Sequence, residues 1–155
     1  MRNIGIDEQG AKDLADGLNI YLANLHVLYT KLHNFHWNVE GKAFFQIHSK
    51  LEELYNGTAE EIDEVAERIL QLGHRPIATM KEYLEVAQLK EAPSKKYTSE
   101  EICNSLLDDY SFMANELRKG IKQAEKYDDQ VTVGLAVEKL TKLEKTIWML
   151  SAFLA

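Results

Sequence analysis

Cysteine, proline and basic residues are all scarce in this chain. A lone cysteine, Cys103, excludes an intrachain disulfide framework and suits a reducing cytosol. Prolines occur only at Pro76 and Pro93, so two long stretches on either side carry no proline to break a helix. Lys and Arg number 18 against 25 Asp and Glu, and the net charge of −7 disfavours a general affinity for nucleic acid or anionic membrane. No apolar run has the length of a signal peptide or a membrane span. Phosphate-binding glycine loops, Ser or Cys nucleophile motifs and paired zinc-type cysteines are missing as well. No segment alternates with period two, so no sheet is expected. What is left is a chain of 155 residues, 45% apolar, expected to form one soluble, cytoplasmic domain over residues 1–155.

Helical periodicity fills the chain. Leu14, Leu18, Tyr21, Leu25, Leu28, Leu32 and Phe35 recur at steps of three or four, which predicts one long helix from Asp7 to about Asn38. After a short glycine-bearing turn, a second stripe runs from Phe44 through Ile47, Leu51, Leu54, Thr58, Ile62, Val65 and Ile69 to Leu72. Gly73 then stands at the helix-stop position, with Pro76 beyond it. Thr98 and Glu101 have capping-box spacing and open a third long helix carrying Ile102, Leu106, Tyr110, Met113, Leu117, Ile121 and Ala124. The segment 127–130 interrupts it, and a fourth stripe follows: Val133, Val137, Leu140, Leu143, Ile147, Leu150 and Leu154. The link from Gly73 to about Tyr97 is too long for adjacent up-and-down helices, and Ala78–Gln88 within it can form a short helix. Two short links around one long one match an all-α four-helix bundle with a single crossover, the ferritin-like connectivity, and periodicity alone leaves other arrangements of the same helices open.

Carboxylates and imidazoles are the groups left to carry chemistry. An intrachain di-iron bundle requires Glu-x-x-His on two helices. Three positions before the five histidines stand Ala23, Thr30, His33, Phe45 and Gln71, so that motif is absent. A different arrangement centres on the first helical hairpin. His36 and His48 lie equally far from Lys42, the middle of the turn, and in an antiparallel pair they face each other. His48 and Glu52 are four apart, as are Asp63 and Glu67, and all four share a sector of about 100° on one helix. Glu52 and Asp63 are separated by roughly 16.5 Å of helix axis, whereas two metal ions in one cluster lie ~3.5–4 Å apart. If these residues bind metal, a second copy running antiparallel must bring its Asp63 and Glu67 against His36 and His48. A solvated acidic face and packed histidines remain alternative readings at this point.

The residues themselves resemble a known family. Lys31-Leu32-His33-Asn34-Phe35-His36-Trp37-Asn38-Val39-Glu40-Gly41 is similar to the first-helix signature of Dps-type mini-ferritins. Phe44-Phe45-Gln46-Ile47-His48, Glu52, the run from Ile62 to Arg68, Leu72-Gly73-His74-Arg75-Pro76 and the ending Leu143 to Leu150 match too. The resemblance implies a hollow cage of twelve subunits with a two-iron ferroxidase centre at each two-fold interface. It assigns His36, His48 and Glu52 to one subunit and Asp63 and Glu67 to the other. It further implies oxidation of Fe(II), preferentially by hydrogen peroxide, with the ferric product stored inside; the imidazole and carboxylate donors suit Fe(II), with Zn(II) as a competing metal. Trp37, beside His36, resembles the family's tryptophan near the centre, which fits either interception of stray oxidising equivalents or ordinary interface packing. The acidic Asp128-Asp129 pair fits either an ion pore or a simple turn.

One departure matters. DNA-binding members carry a lysine-rich tail, but the first twenty residues here hold only Arg2 and Lys12 against Asp7, Glu8, Asp13 and Asp16. Stable DNA binding is therefore not expected. Two other classes, a DNA-compacting protein and a purely structural helical assembly, would differ from an iron oxidase in showing a DNA shift without metal or no metal binding at all.

Overall fold

The computed structural model describes residues 4–155, so Arg2 of the tail lies outside the described residues. Five helices and one short bridge follow in order: α1 (Glu8–Asn38), β1 (Val39–Glu40), α2 (Phe44–Gln71), α3 (Met80–Val86), β2 (Tyr97–Thr98), α4 (Ser99–Lys126) and α5 (Gln130–Leu154). The four long helices make the bundle, with α1 against α2 and α4 against α5 as its tightly packed pairs.

Local signals set the helix ends. Asp7 caps α1 by accepting from the Gly10 amide at 2.9 Å. Gly73 takes φ +86°, and the His74 amide reaches back to the Ile69 carbonyl while Gly73 bonds Leu70, a Schellman stop. Thr98 and Glu101 form the reciprocal capping box that their spacing predicts. The expected apolar stripes of α1, α2 and α4 meet in one core built on Leu25, Leu32, Phe35, Leu51, Ile69 and Leu106.

The crossover is tied to α1 by three asparagines. Asn19 accepts from the Ile77 amide and donates to the Arg75 carbonyl, and Asn34 donates to the carbonyls of Ala92 and Pro93. Asn24 is 1% exposed, and its Oδ1 accepts from the amides of Gln88 at 2.7 Å and Leu89 at 3.1 Å. Those bonds hold the chain extended after Ala87, so the short helix is Met80–Val86 rather than Ala78–Gln88.

Two expectations are corrected. A parallel bridge does form, pairing Val39 with Tyr97 and Glu40 with Thr98 where the chain leaves α1 and enters α4. Two residues per strand are too few to show a period-two pattern. The inner face of α5 also differs over its first half. Thr132, Ala136, Lys139 and Leu140 are buried, while Val137 is 46% exposed and Val133 half-buried. Polar partners turn the helix: Asp129 caps it, bonds Thr132 and receives two hydrogen bonds from Arg68 at 2.8 Å.

Candidate metal centre

His36 sits in the last turn of α1, where carbonyls lack intrahelical partners, and His48 lies in the first turns of α2. Their rings stack with centroids 3.7 Å apart, as the equal spacing about Lys42 predicts. His36 Nδ1 bonds the His48 carbonyl at 2.9 Å, and His48 Nδ1 bonds the His36 carbonyl at 2.9 Å. A carbonyl oxygen only accepts, so in both rings the proton sits on Nδ1. With Nδ1 committed to a carbonyl in each ring, Nε2 is the nitrogen left to ligate a metal, and the bonded nitrogen orients the ring. Phe44 stacks on His48 at 4.9 Å, and Tyr55 stands edge-on to His36 at 5.3 Å, which restrains both rings further. Tyr55 also stacks on His33 at 3.9 Å, and His33 lies 5.3 Å from the exposed ring of Trp37.

The carboxylates fall on the same long helix at two levels. Glu52 is exposed one turn from His48. Asp63 and Glu67 are exposed farther along α2, and among the described residues neither side chain has a hydrogen-bond or ion-pair partner. Among the described residues no group of three His, Cys, Asp or Glu within the chain is placed to hold a metal ion. The fold thus brings His36 and His48 together and leaves Asp63 and Glu67 apart from them. The His36–His48 pair at the α1–α2 turn and the Asp63–Glu67 pair farther along α2 are thus two separate groups within one chain.

Arg68 immediately follows Glu67, points the other way and is buried. Its guanidinium pairs with both oxygens of the Asp129 carboxylate and also bonds Thr132 and Gln71. This junction locks the end of α2 to the start of α5. Burial raises the Asp129 carboxyl, but hydrogen bonds from Thr132 and Arg68 and the Arg68 charge outweigh it and hold the pKa below the usual aspartate value. The acidic pair consequently divides. Asp129 is 3% exposed and serves as a structural cap, while Asp128 alone faces solvent at φ +54°. Sequence reasoning missed Arg68, whose charge interrupts the stripe between Val65 and Ile69; an aspartate just ahead of α5 was the available sign of a cap.

Comparison with known proteins agrees with this architecture. The Ferritin-like domain family matches residues 15–155. The chain is similar to DNA protection during starvation protein 2 of Bacillus anthracis, 48% identical over 143 residues covering 92% of this chain and 97% of that one. A Dps crystal structure from Vibrio cholerae, described as a member of a broad superfamily of ferritin-like diiron-carboxylate proteins, superposes with TM-score 0.95 at 36% identity, covering 100% and 97% of the two chains. A Dps structure from Bacillus brevis gives TM-score 0.92 at 40% identity over the full length of both. The fold is therefore that of the ferritin-like proteins. Within them, the chain belongs to the Dps family.

Proposed function

We propose that this protein is a cytoplasmic iron-storing mini-ferritin that oxidises Fe(II), with hydrogen peroxide as its preferred oxidant, at centres shared between subunits of a twelve-membered cage. The observation that carries the reading is the reciprocal bonding of His36 and His48, which leaves two Nε2 atoms free for metal. Asp63 and Glu67 of a second copy complete the centre, and Glu52 assists the second iron. Phe45 at 79% and Trp37 at 71% exposure neighbour the histidine pair in sequence and supply apolar surface that a second copy can cover.

Iron is the substrate here. Its carboxylate ligands favour the ferric state, and imidazole with carboxylate also suits Zn(II), which competes for the same positions. Two Fe(II) each release one electron. One peroxide takes both, together with two protons, and its O–O bond breaks to give two waters without free hydroxyl radical. The rings of Tyr55, His33 and Trp37 run outward from His36 and support a role for Trp37 in trapping stray oxidising equivalents.

Stable DNA binding is not part of the proposal. Lys12 already pairs with Asp16, and the net charge of −7 repels phosphate. The test is anaerobic Fe(II) titration of metal-free protein followed by peroxide, monitored by Fe(III) absorbance. Two Fe(II) consumed per peroxide, with the rate lost in His36→Ala, supports the reading. Oxidation no faster than in buffer overturns it.

A further inference from the structure

A cavity of about 230 Å³ opens between α1 and α4, away from the histidine pair. Its lining on α1 ends at Asn24, roughly 18 Å of helix axis short of His36. The gap arises because α1 packs closely on α2 and α4 on α5, while α1 and α4 touch each other less. Leu14 and Leu18 of α1, Leu117 of α4 and Leu135 and Ala136 of α5 make apolar walls and a floor.

The mouth is kept wide by small residues. Gly17 and Gly120 line it from the two facing helices, both at interior positions where glycine is a weak helix former. A β-carbon on Gly120 would meet no atom within 4 Å, and one on Gly17 would meet only the Gln123 side chain, at 3.8 Å. Neither position needs glycine to avoid a clash, and a long side chain at Gly120 would close the cleft.

Most of the polar groups around the cavity are already occupied. Glu116 pairs with Lys119, Lys139 turns its ammonium to Glu64, and the Tyr21 hydroxyl donates to Glu61. Asn24 spends its whole carboxamide on the crossover. Gln123 differs: it is half-buried, and among the described residues its carboxamide has no hydrogen-bond partner. The lining therefore offers apolar contact, no uncompensated charge and one amide free to donate and accept. An apolar cavity of about 150 Å³ holds benzene, so this one has room for one ring or two fused rings.

We propose that the cleft between α1 and α4 binds a small neutral aromatic molecule of phenol or indole size, its ring against Leu14, Leu117 and Ala136 and its O–H or N–H on the Gln123 carboxamide. Release of water from the leucine walls drives the binding, and the one hydrogen bond orients the ring. The cleft is separate from the proposed iron centre and does not depend on it.

Ligand-observed fluorine NMR of 5-fluoroindole with the assembled full-length protein tests the inference. Saturable binding of one molecule per chain is expected. Gly120→Leu fills the mouth and is expected to weaken binding at least about tenfold. Gly134→Leu, at an exposed position of α5 outside the cleft, leaves it unchanged. Gln123→Ala weakens 5-fluoroindole several-fold and leaves fluorobenzene, which has no group to donate, unaffected. If Gly120→Leu does not assemble, Ala136→Leu fills the cleft from its floor and repeats the measurement. No saturable binding, equal binding when the cleft is filled, or a Gln123→Ala effect equal for both probes overturns the inference.

Discussion

His36 and His48, twelve residues apart, each donate Nδ1–H to the other's backbone carbonyl at 2.9 Å. This exchange closes the first helical hairpin and fixes both tautomers at once. The carbonyl of His36 would otherwise be one of the unpaired acceptors at the end of α1. The same two bonds therefore tie α1 to α2 and orient both rings.

His36→Ala and His48→Ala are each expected to weaken Co(II) binding by at least about tenfold, since loss of even an orienting partner costs a metal site roughly 10–100-fold. Titration of the Co(II) ligand-field bands, with circular dichroism as a check on helicity, measures it. Unchanged Co(II) affinity in both variants would contradict the assignment of Nε2 as ligand.

Asn24 anchors the crossover through the amides of Gln88 and Leu89. Asn24→Ala leaves both donors without that partner in a largely buried setting and is expected to cost roughly 1–3 kcal/mol. Denaturant unfolding gives the magnitude. Amide hydrogen exchange at Gln88 and Leu89 locates it, and protection there equal to wild type would show that the anchor is dispensable.

Arg68 and Asp129 form an ion pair whose side chains are 7% and 2% exposed. Asp129→Asn should cost about 3–5 kcal/mol near neutral pH, because it leaves a buried guanidinium without its counter-charge. The hydrogen bonds and charge that hold the Asp129 pKa below its usual value give stability that is complete above the unfolded pKa of about 3.9 and is lost as pH falls through the folded value. The stability gap between wild type and Asp129→Asn should thus stay constant from pH 7 to about pH 5 and narrow below about pH 4. A gap that persists unchanged into strong acid would exclude Asp129 as its source.

Apolar spacing made α1, α2 and α4 legible in the sequence, with Gly73 and the Thr98–Glu101 box marking two of their ends. The helix α5 was legible too, but not the inner face of its first half, because the inward positions Thr132 and Lys139 are polar and are held by the nearby cap Asp129 and by two groups far away in sequence, Arg68 and Glu64. Periodicity counts apolar residues and is blind to a lysine that an ion pair draws inside. The two-residue bridge at Val39 and Tyr97 was invisible for a related reason, since it arises only where two chain segments 58 residues apart meet. Within the candidate centre, equal distances from Lys42 were enough to bring His36 and His48 face to face. Asp63 and Glu67 lie too far along the helix for one chain to close the site.

Mixed assembly tests the shared centre most directly. Subunits carrying His36→Ala and subunits carrying Asp63→Ala are each expected to be inactive in peroxide-dependent iron oxidation when assembled alone. In a mixed two-fold pair, one centre combines the intact His36 of one subunit with the intact Asp63 of the other. Random co-assembly at equal amounts makes half of the pairs mixed, so about a quarter of the wild-type rate should return. No recovery in demonstrably mixed cages would contradict a centre built between subunits.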